Sequence, residues 1–211
     1  MYRETLLPGT ALLDVCSSLR SHLPPEMAFS RVVGTGINGE EMAANSRLDA
    51  SFVCDLNTAA IGVGFFQREV GDASIGAVLC AAGIQYLTEP ERVVAEFLRV
   101  LQPGGVAIVS FSNRWDDKKV IAGWRRLSGP ERLQLVSSYF HTVGGFSTPQ
   151  LLLQPASAPP TDDGTALGWA AALLGSSGDP FFEGPFSAFV EEDPFYCVVA
   201  HKTLTAACGG R

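Results

Sequence analysis

The chain has 211 residues, 46% of them hydrophobic and 18% charged, and a formal net charge of −7. That size suits one globular domain, and the composition excludes a disordered or fibrous chain. The acidic balance leaves too little positive potential to hold a phosphate backbone, so no nucleic-acid partner is expected.

One basic cluster, Lys118, Lys119, Arg125 and Arg126, sits beside Asp116 and Asp117 and reads as a solvated helix face. No run of about 18 apolar residues is present, so no membrane span is predicted, and the first residues show no targeting pattern. The five cysteines are scattered, without a C-x-x-C pair, which argues against a disulfide framework or a structural metal site. The expectation is an intracellular, soluble protein of a reducing compartment, the cytoplasm or an organelle matrix such as the plastid stroma.

In chain order, the first predicted strand is Ala11 to Val15, after a Pro8-Gly9 turn. A second runs from Phe29 to Val33 and ends in Gly34-Thr35-Gly36. A short helix over Glu40 to Asn45 follows. The third strand is Ala50 to Cys54, closed by Asp55-Leu56-Asn57, and the fourth is Gly76 to Cys80. From Pro90 to Leu101 the apolar residues Val93, Val94, Phe97, Leu98 and Leu101 recur at helical spacing. Pro103-Gly104-Gly105 is expected to stop that helix and turn it into the fifth strand, Val106 to Phe111.

Asp117 to Leu127 and Pro130 to Tyr139 read as helices, and Tyr196 to Ala200 as a last strand. Residues 154–164 are predicted to be a loop, Ala166 to Ala172 a sixth strand or a helix, and 206–211 a flexible tail. Continuous apolar strands separated by helices imply an α/β fold with a doubly wound, mainly parallel sheet covered on both faces. Residues 1–205 are read as a single domain.

The most specific segment joins Gln85-Tyr86-Leu87, Glu89-Pro90-Glu91 and Phe97-Leu98-Arg99-Val100-Leu101-Gln102-Pro103-Gly104-Gly105 to the strand that follows. It resembles the fourth strand, helix and fifth strand of class I S-adenosylmethionine-dependent methyltransferases, especially their type 11, ubiquinone-biosynthesis-like small-molecule branch. Ser110 to Trp115 is similar to a plant, algal and bacterial methyltransferase-like subgroup. The resemblance covers about residues 10 to 150 and implies a Rossmann-like sheet with an antiparallel last strand. It also implies S-adenosylmethionine as cofactor, bound where the strand order reverses.

The family places acidic-x-G-x-G-x-G after its first strand. This chain has Asp14, then Cys16, Ser18 and Arg20 where the glycines stand, and each side chain occupies ligand volume and resists positive backbone angles. The Ser17 and Ser18 hydroxyls can meet a ligand or cap a following helix. The acidic residue that accepts the ribose hydroxyls aligns with Gly36, with Asn38 or Glu40 as nearby substitutes. Asp55, beside Leu56, matches the acidic contact to the adenine amino group and reads equally as a turn residue. Ala81, Ala82 and Gln85 match the segment lining the cofactor.

Residues 113–150 correspond to the substrate cap, where Asn113, Arg114, Trp115 and Tyr139 are the substrate candidates. Cys16, Cys54 and Cys80 all fall at carboxyl ends of predicted strands. The third strand lies two strand spacings from the first, so buried apolar cysteines are the default over a thiol cluster. Methyl transfer from a sulfonium needs chiefly alignment, so the lack of an obvious catalytic constellation fits the chemistry. Two functions follow: a methyltransferase acting on a small molecule, or a methyltransferase-like pseudoenzyme that binds a protein partner without cofactor. The second rests on the lost glycines, on Gly36, and on the ten residues preceding the first strand, where relatives carry helices that close over the cofactor.

Overall fold

Short runs of Val, Leu, Ala and Cys form the sheet because their side chains can be buried on both of its faces. A computed structural model describes residues 2–58, 66, 69–154 and 194–204. Among them the strands are β1 (Ala11–Val15), β2 (Arg31–Gly36), β3 (Ala50–Val53), β4 (Ile75–Ala81), β5 (Leu101–Phe111), β6 (Gln150–Gln154) and β7 (Phe195–His201). They lie in the order β3-β2-β1-β4-β5-β7-β6. The first five run parallel, and β7 is antiparallel to both β5 and β6. The expected fold class is therefore observed.

One face is covered by α3 (Pro90–Val100) and α5 (Gly129–Val143), whose Phe97, Val93, Val136 and Phe140 pack on Leu13, Val78 and Val109. The other face is covered by Tyr2 and Leu6, from and just after α1 (Tyr2–Thr5), and by Leu23 and Met27. Those last two belong to the crossover from β1 to β2, in which residues 16–30 contain no helix. The sequence reading had Ser17 and Ser18 as candidate caps for a helix here; no such helix forms.

The described elements depart from expectation at several points. The strand paired with β7 at the sheet edge is β6, a run of leucines flanked by glutamines, whose lack of alternation and high helix propensity concealed it. Ala166 to Ala172, residues 155–164 and the tail 206–211 lie outside the described residues. The helix α3 passes directly into β5 at Leu101, which pairs with Ile75, and Pro103-Gly104-Gly105 form a bulge within the strand. Gly104 has φ +79°, and its N–H donates to Lys202 O at 3.0 Å, so the chain end beyond β7 holds the bulge in place.

Only α4 (Ala122–Arg126) is helical within the predicted Asp117 to Leu127 stretch, because Asp116 accepts from Lys118 N and closes a turn before it. The helix predicted over Pro130 to Tyr139 is longer than expected, running from Gly129 to Val143. It opens on a capping box in which Ser128 N donates to Glu131 Oε2 at 2.7 Å, and it ends at Gly144, φ +71°.

The start of α5 sits against Tyr196, whose ring stacks on Phe111 at 5.3 Å while Phe111 meets Trp124 edge-on at 4.9 Å. A β-carbon at Gly129 would overlap the Tyr196 ring. Gly129→Ala is expected to destabilise the fold by about 1–3 kcal/mol, although alanine is the better helix former, and the shift of the urea unfolding midpoint measures it.

Candidate functional site

Neighbouring connections leave β1 and β4 toward opposite sides of the sheet, so a crevice opens beyond their carboxyl ends. A cavity of about 650 Å³ occupies this place, a size suited to a small-molecule ligand. Its walls come from the exits of all five parallel strands.

The exit of β1 supplies Cys16, Ser17 and Ser18. Cys16 takes φ +60°, a left-handed bend that glycine adopts without cost and that here carries a side chain. Ser17 N then donates to Thr35 O at 2.8 Å and pins the loop to β2. This brings the Ser17 carbonyl so close to Gly36 that any β-carbon there would overlap it. No carboxylate can be carried at position 36.

The exit of β2 contributes Gly36, Ile37 and Asn38, and α2 (Gly39–Ala44) contributes Glu41. Asn38 Oδ1 caps α2 by accepting from Glu40 N at 3.1 Å and Glu41 N at 3.2 Å. Its amide donates to Glu41 Oε1 at 2.7 Å, and Ser18 Oγ donates to Glu41 Oε2. Glu41 is thus fixed at the cavity wall. Ile37 stands 72% exposed beside it and offers apolar surface to the cavity.

From the exit of β3 come Cys54, Asp55, Leu56 and Asn57. Asp55 Oδ1 accepts from Asn57 N at 2.9 Å, an Asx turn, so both the turn reading and the cavity reading apply to it. After β4, Ala82 has φ +52° and its N–H donates to Ser110 O at 2.8 Å, while Gly83, Tyr86 and Leu87 face the cavity. Tyr86 Oη accepts from Asp116 N at 2.9 Å, tying the loop after β5 to this wall, where Asp116 and Lys119 close the lining 3.5 Å apart.

Of the residues singled out from sequence, Cys16, Ser17, Ser18, Gly36, Asn38, Cys54, Asp55, Leu56 and Ala82 meet at this cavity. Asp14 lies behind it, 4% exposed, accepting from Ser17 Oγ at 2.8 Å and Ser21 Oγ at 2.6 Å. Burial outweighs those two bonds and pushes its carboxyl up to about 6. Ala81 ends β4 without joining the lining, and Gln85 is buried with its amide donating to Ala82 O at 2.9 Å.

Of the four substrate candidates, Asn113 and Trp115 pack on Arg132. The Arg132 guanidinium lies 4.2 Å over the Trp115 ring, donates to Asn113 Oδ1 at 3.0 Å and to Trp124 O at 3.1 Å, and is 5.7 Å from the Trp124 ring. Arg114 N donates to Ser112 Oγ, and Tyr139 is buried on α5. None of the four reaches the cavity lining.

Sequence reasoning missed Ile37 and Glu41, whose only signal was nearness to the missing acidic position. It also set aside Asp116 and Lys119 as a solvated face. Three carboxylates and one ammonium line the cavity, a field that favours a cationic ligand. Among the described residues no group of three His, Cys, Asp or Glu side chains can hold a metal ion, and no helix is long and apolar enough to cross a membrane.

Residues 15–109 match the family model of a methyltransferase domain. No curated protein sequence matches the chain. Among solved structures, the [4+2]-cyclase SpnF is 18% identical with a TM-score of 0.54, over 97% of this chain and 79% of that one. Phosphoethanolamine N-methyltransferase 2 of Haemonchus contortus, in complex with phosphomonomethylethanolamine and S-adenosylhomocysteine, is 12% identical with a TM-score of 0.55, over 96% of this chain and 51% of that one. A complex of the Haloferax volcanii Trm112 methyltransferase activator with a methyltransferase gives 14% identity and a TM-score of 0.52, over 95% of this chain and 85% of that one.

Because the Asp14 carboxyl is raised from 3.8 to about 6 in the folded state, that state holds a proton which the unfolded chain has released between those values. Its contribution to stability therefore falls as pH rises from about 4 to about 6 and is level above, by roughly 2–3 kcal/mol in all. Asp14→Asn is expected to remove this slope, which urea unfolding of both proteins across that range will read.

Proposed function

We propose that this chain, whose residues 15–109 match the model of a methyltransferase domain and whose fold is shared with solved methyltransferases, is a class I S-adenosylmethionine-dependent methyltransferase that binds S-adenosylmethionine in the cavity at the ends of β1 to β5 and methylates a small molecule. One observation carries this reading. The cavity keeps a left-handed bend at Cys16, and it keeps two carboxylates, Glu41 and Asp55, on the wall where a nucleoside would lie.

The donor set suits that group. Glu41 faces the cavity from α2 and would take the role of the acid that Gly36 cannot carry, accepting from the ribose hydroxyls. Asp55 would accept from the adenine amino group, and Ile37 and Leu56 would offer apolar surface to the base. Ser17, Ser18 and the backbone at Cys16 stand beside the amino-acid moiety. When bound, the cofactor supplies a methyl group on a positively charged sulfur, which the acidic lining favours.

The substrate approaches from the side of Tyr86, Asp116 and Lys119, where the Asp116 N–H bond to Tyr86 holds the loop after β5. The loop's other half, Asn113 to Trp115, is packed around Arg132 and supports this mouth from behind. Residues 113–150 act as the cap, within a single domain spanning 1–205. Displacement at a sulfonium methyl needs chiefly the nucleophile held in line, so the reaction does not require a dedicated base in the cavity wall.

The rival reading, a pseudoenzyme used as a binding or assembly module, has in its favour the β-carbons at Cys16, Ser18 and Arg20 where the family has glycine. Isothermal titration with S-adenosylhomocysteine separates the two. Micromolar binding is expected, and absence of heat at millimolar ligand sinks the proposal. Glu41→Gln and Asp55→Ala are each expected to weaken binding roughly ten- to hundredfold, the worth of a hydrogen bond to a charged group. Glu41→Gln should also abolish the preference of the wild type for the ribose over the 2′-deoxyribose form.

A further inference from the structure

Three cysteines end strands that face one cavity, and two of them sit side by side. In the parallel ladder between β1 and β4, Val15 lies opposite Cys80, and Cys16 is the next residue beyond. Adjacent strands run about 4.8 Å apart, inside the Cα separation that a disulfide spans. Both sulfurs crowd one point beside Gly83: a β-carbon built there would stand 2.5 Å from Cys16 Sγ and 3.3 Å from Cys80 Sγ. Glycine at 83 leaves the room that the pair occupies.

The other two cysteines among the described residues are placed differently. Cys54 follows β3, which is separated from β1 by β2, and Cys197 points into the core on the opposite face of the sheet. Cys16 lines the cavity and is half-buried, whereas Cys80 is 1% exposed. Contact with the Cys16 thiol and burial both push the Cys80 thiol upward, so it stays protonated while Cys16 is the sulfur that a reagent in the cavity meets. Cys16 also holds a left-handed backbone angle that disfavours a side chain, strain of the kind retained at functional positions.

We propose that Cys16 and Cys80 form a reversible disulfide, closed by a hydroperoxide, that reshapes the floor of the cavity. In the first step the Cys16 sulfur takes the terminal oxygen of the hydroperoxide. The O–O bond breaks, Cys16 becomes a sulfenic acid, and an alcohol, or water in the case of hydrogen peroxide, leaves. The Cys80 sulfur then attacks the Cys16 sulfur: the S–S bond forms, the S–O bond breaks, and the hydroxyl leaves as water with the Cys80 proton. The two sulfurs together lose two electrons to the peroxide. The consequence for ligand affinity rests on the cofactor reading above; the bond itself does not.

The test treats the full chain with hydrogen peroxide and maps its peptides without reduction, alongside titration with S-adenosylhomocysteine before and after. A Cys16–Cys80 linked peptide, reversed by dithiothreitol, is the expected product, retained in Cys54→Ser and absent in Cys80→Ala, where Cys16 proceeds to sulfinic acid. Affinity for S-adenosylhomocysteine should fall about tenfold on closure and recover on reduction. Bound S-adenosylhomocysteine should slow alkylation of Cys16. A wild type in which Cys80 stays free after Cys16 is oxidised, in which Cys16 links to Cys54, or in which neither cysteine reacts overturns the disulfide. A linked protein with unchanged affinity overturns the reshaping of the cavity. Failure of S-adenosylhomocysteine to bind either form, with the linkage present, refutes the cofactor reading and leaves the disulfide standing.

Discussion

The close approach of the Ser17 backbone to Gly36 governs the site. Three interactions enforce it: Cys16 turns the chain through a left-handed bend, Ser17 N donates to Thr35 O, and Ser17 Oγ donates to Asp14. Together they seal the loop after β1 against the end of β2. With no space for a β-carbon at Gly36, a carboxylate on this wall has to come from elsewhere, and Glu41 stands there, held by Ser18 and Asn38. A glycine that reads as a loss is the residue that lets the loop close.

The same closure explains how the sheet is covered. The segment from Cys16 to Ser30 contains no helix, so it buries the sheet face with single side chains, Leu23 and Met27, beside Tyr2 and Leu6. Asp14 belongs to this arrangement: its carboxylate organises Ser17 and Ser21 from beneath the loop and does not face the ligand side. Its raised pKa is the cost of burying an anion with only two hydroxyl donors.

Fold and reaction are separate matters. The solved structures that share this architecture include a [4+2]-cyclase and an N-methyltransferase, so the sheet alone specifies no chemistry. In this chain the cavity is lined by the carboxylates of Glu41 and Asp55 and by an Asp116–Lys119 pair, while Trp115 and Trp124 are committed to Arg132.

The amino-acid sequence alone determined the parallel strands β1 to β5, the helix α3 and the final strand, because continuous apolar runs and helical periodicity depend on nearest neighbours in the chain. It also marked the strand-end residues that meet at the cavity, from Cys16 to Leu56, since the position of a ligand in a doubly wound sheet follows from strand order. Tertiary structure decided the rest. The edge strand β6 exists through pairing with β7, the Pro-Gly-Gly bulge through its bonds to Lys202, and the inward seat of Glu41 through Ser18, 23 residues away. Those contacts join parts of the chain that local propensity treats as independent, and only the folded backbone brings them within reach.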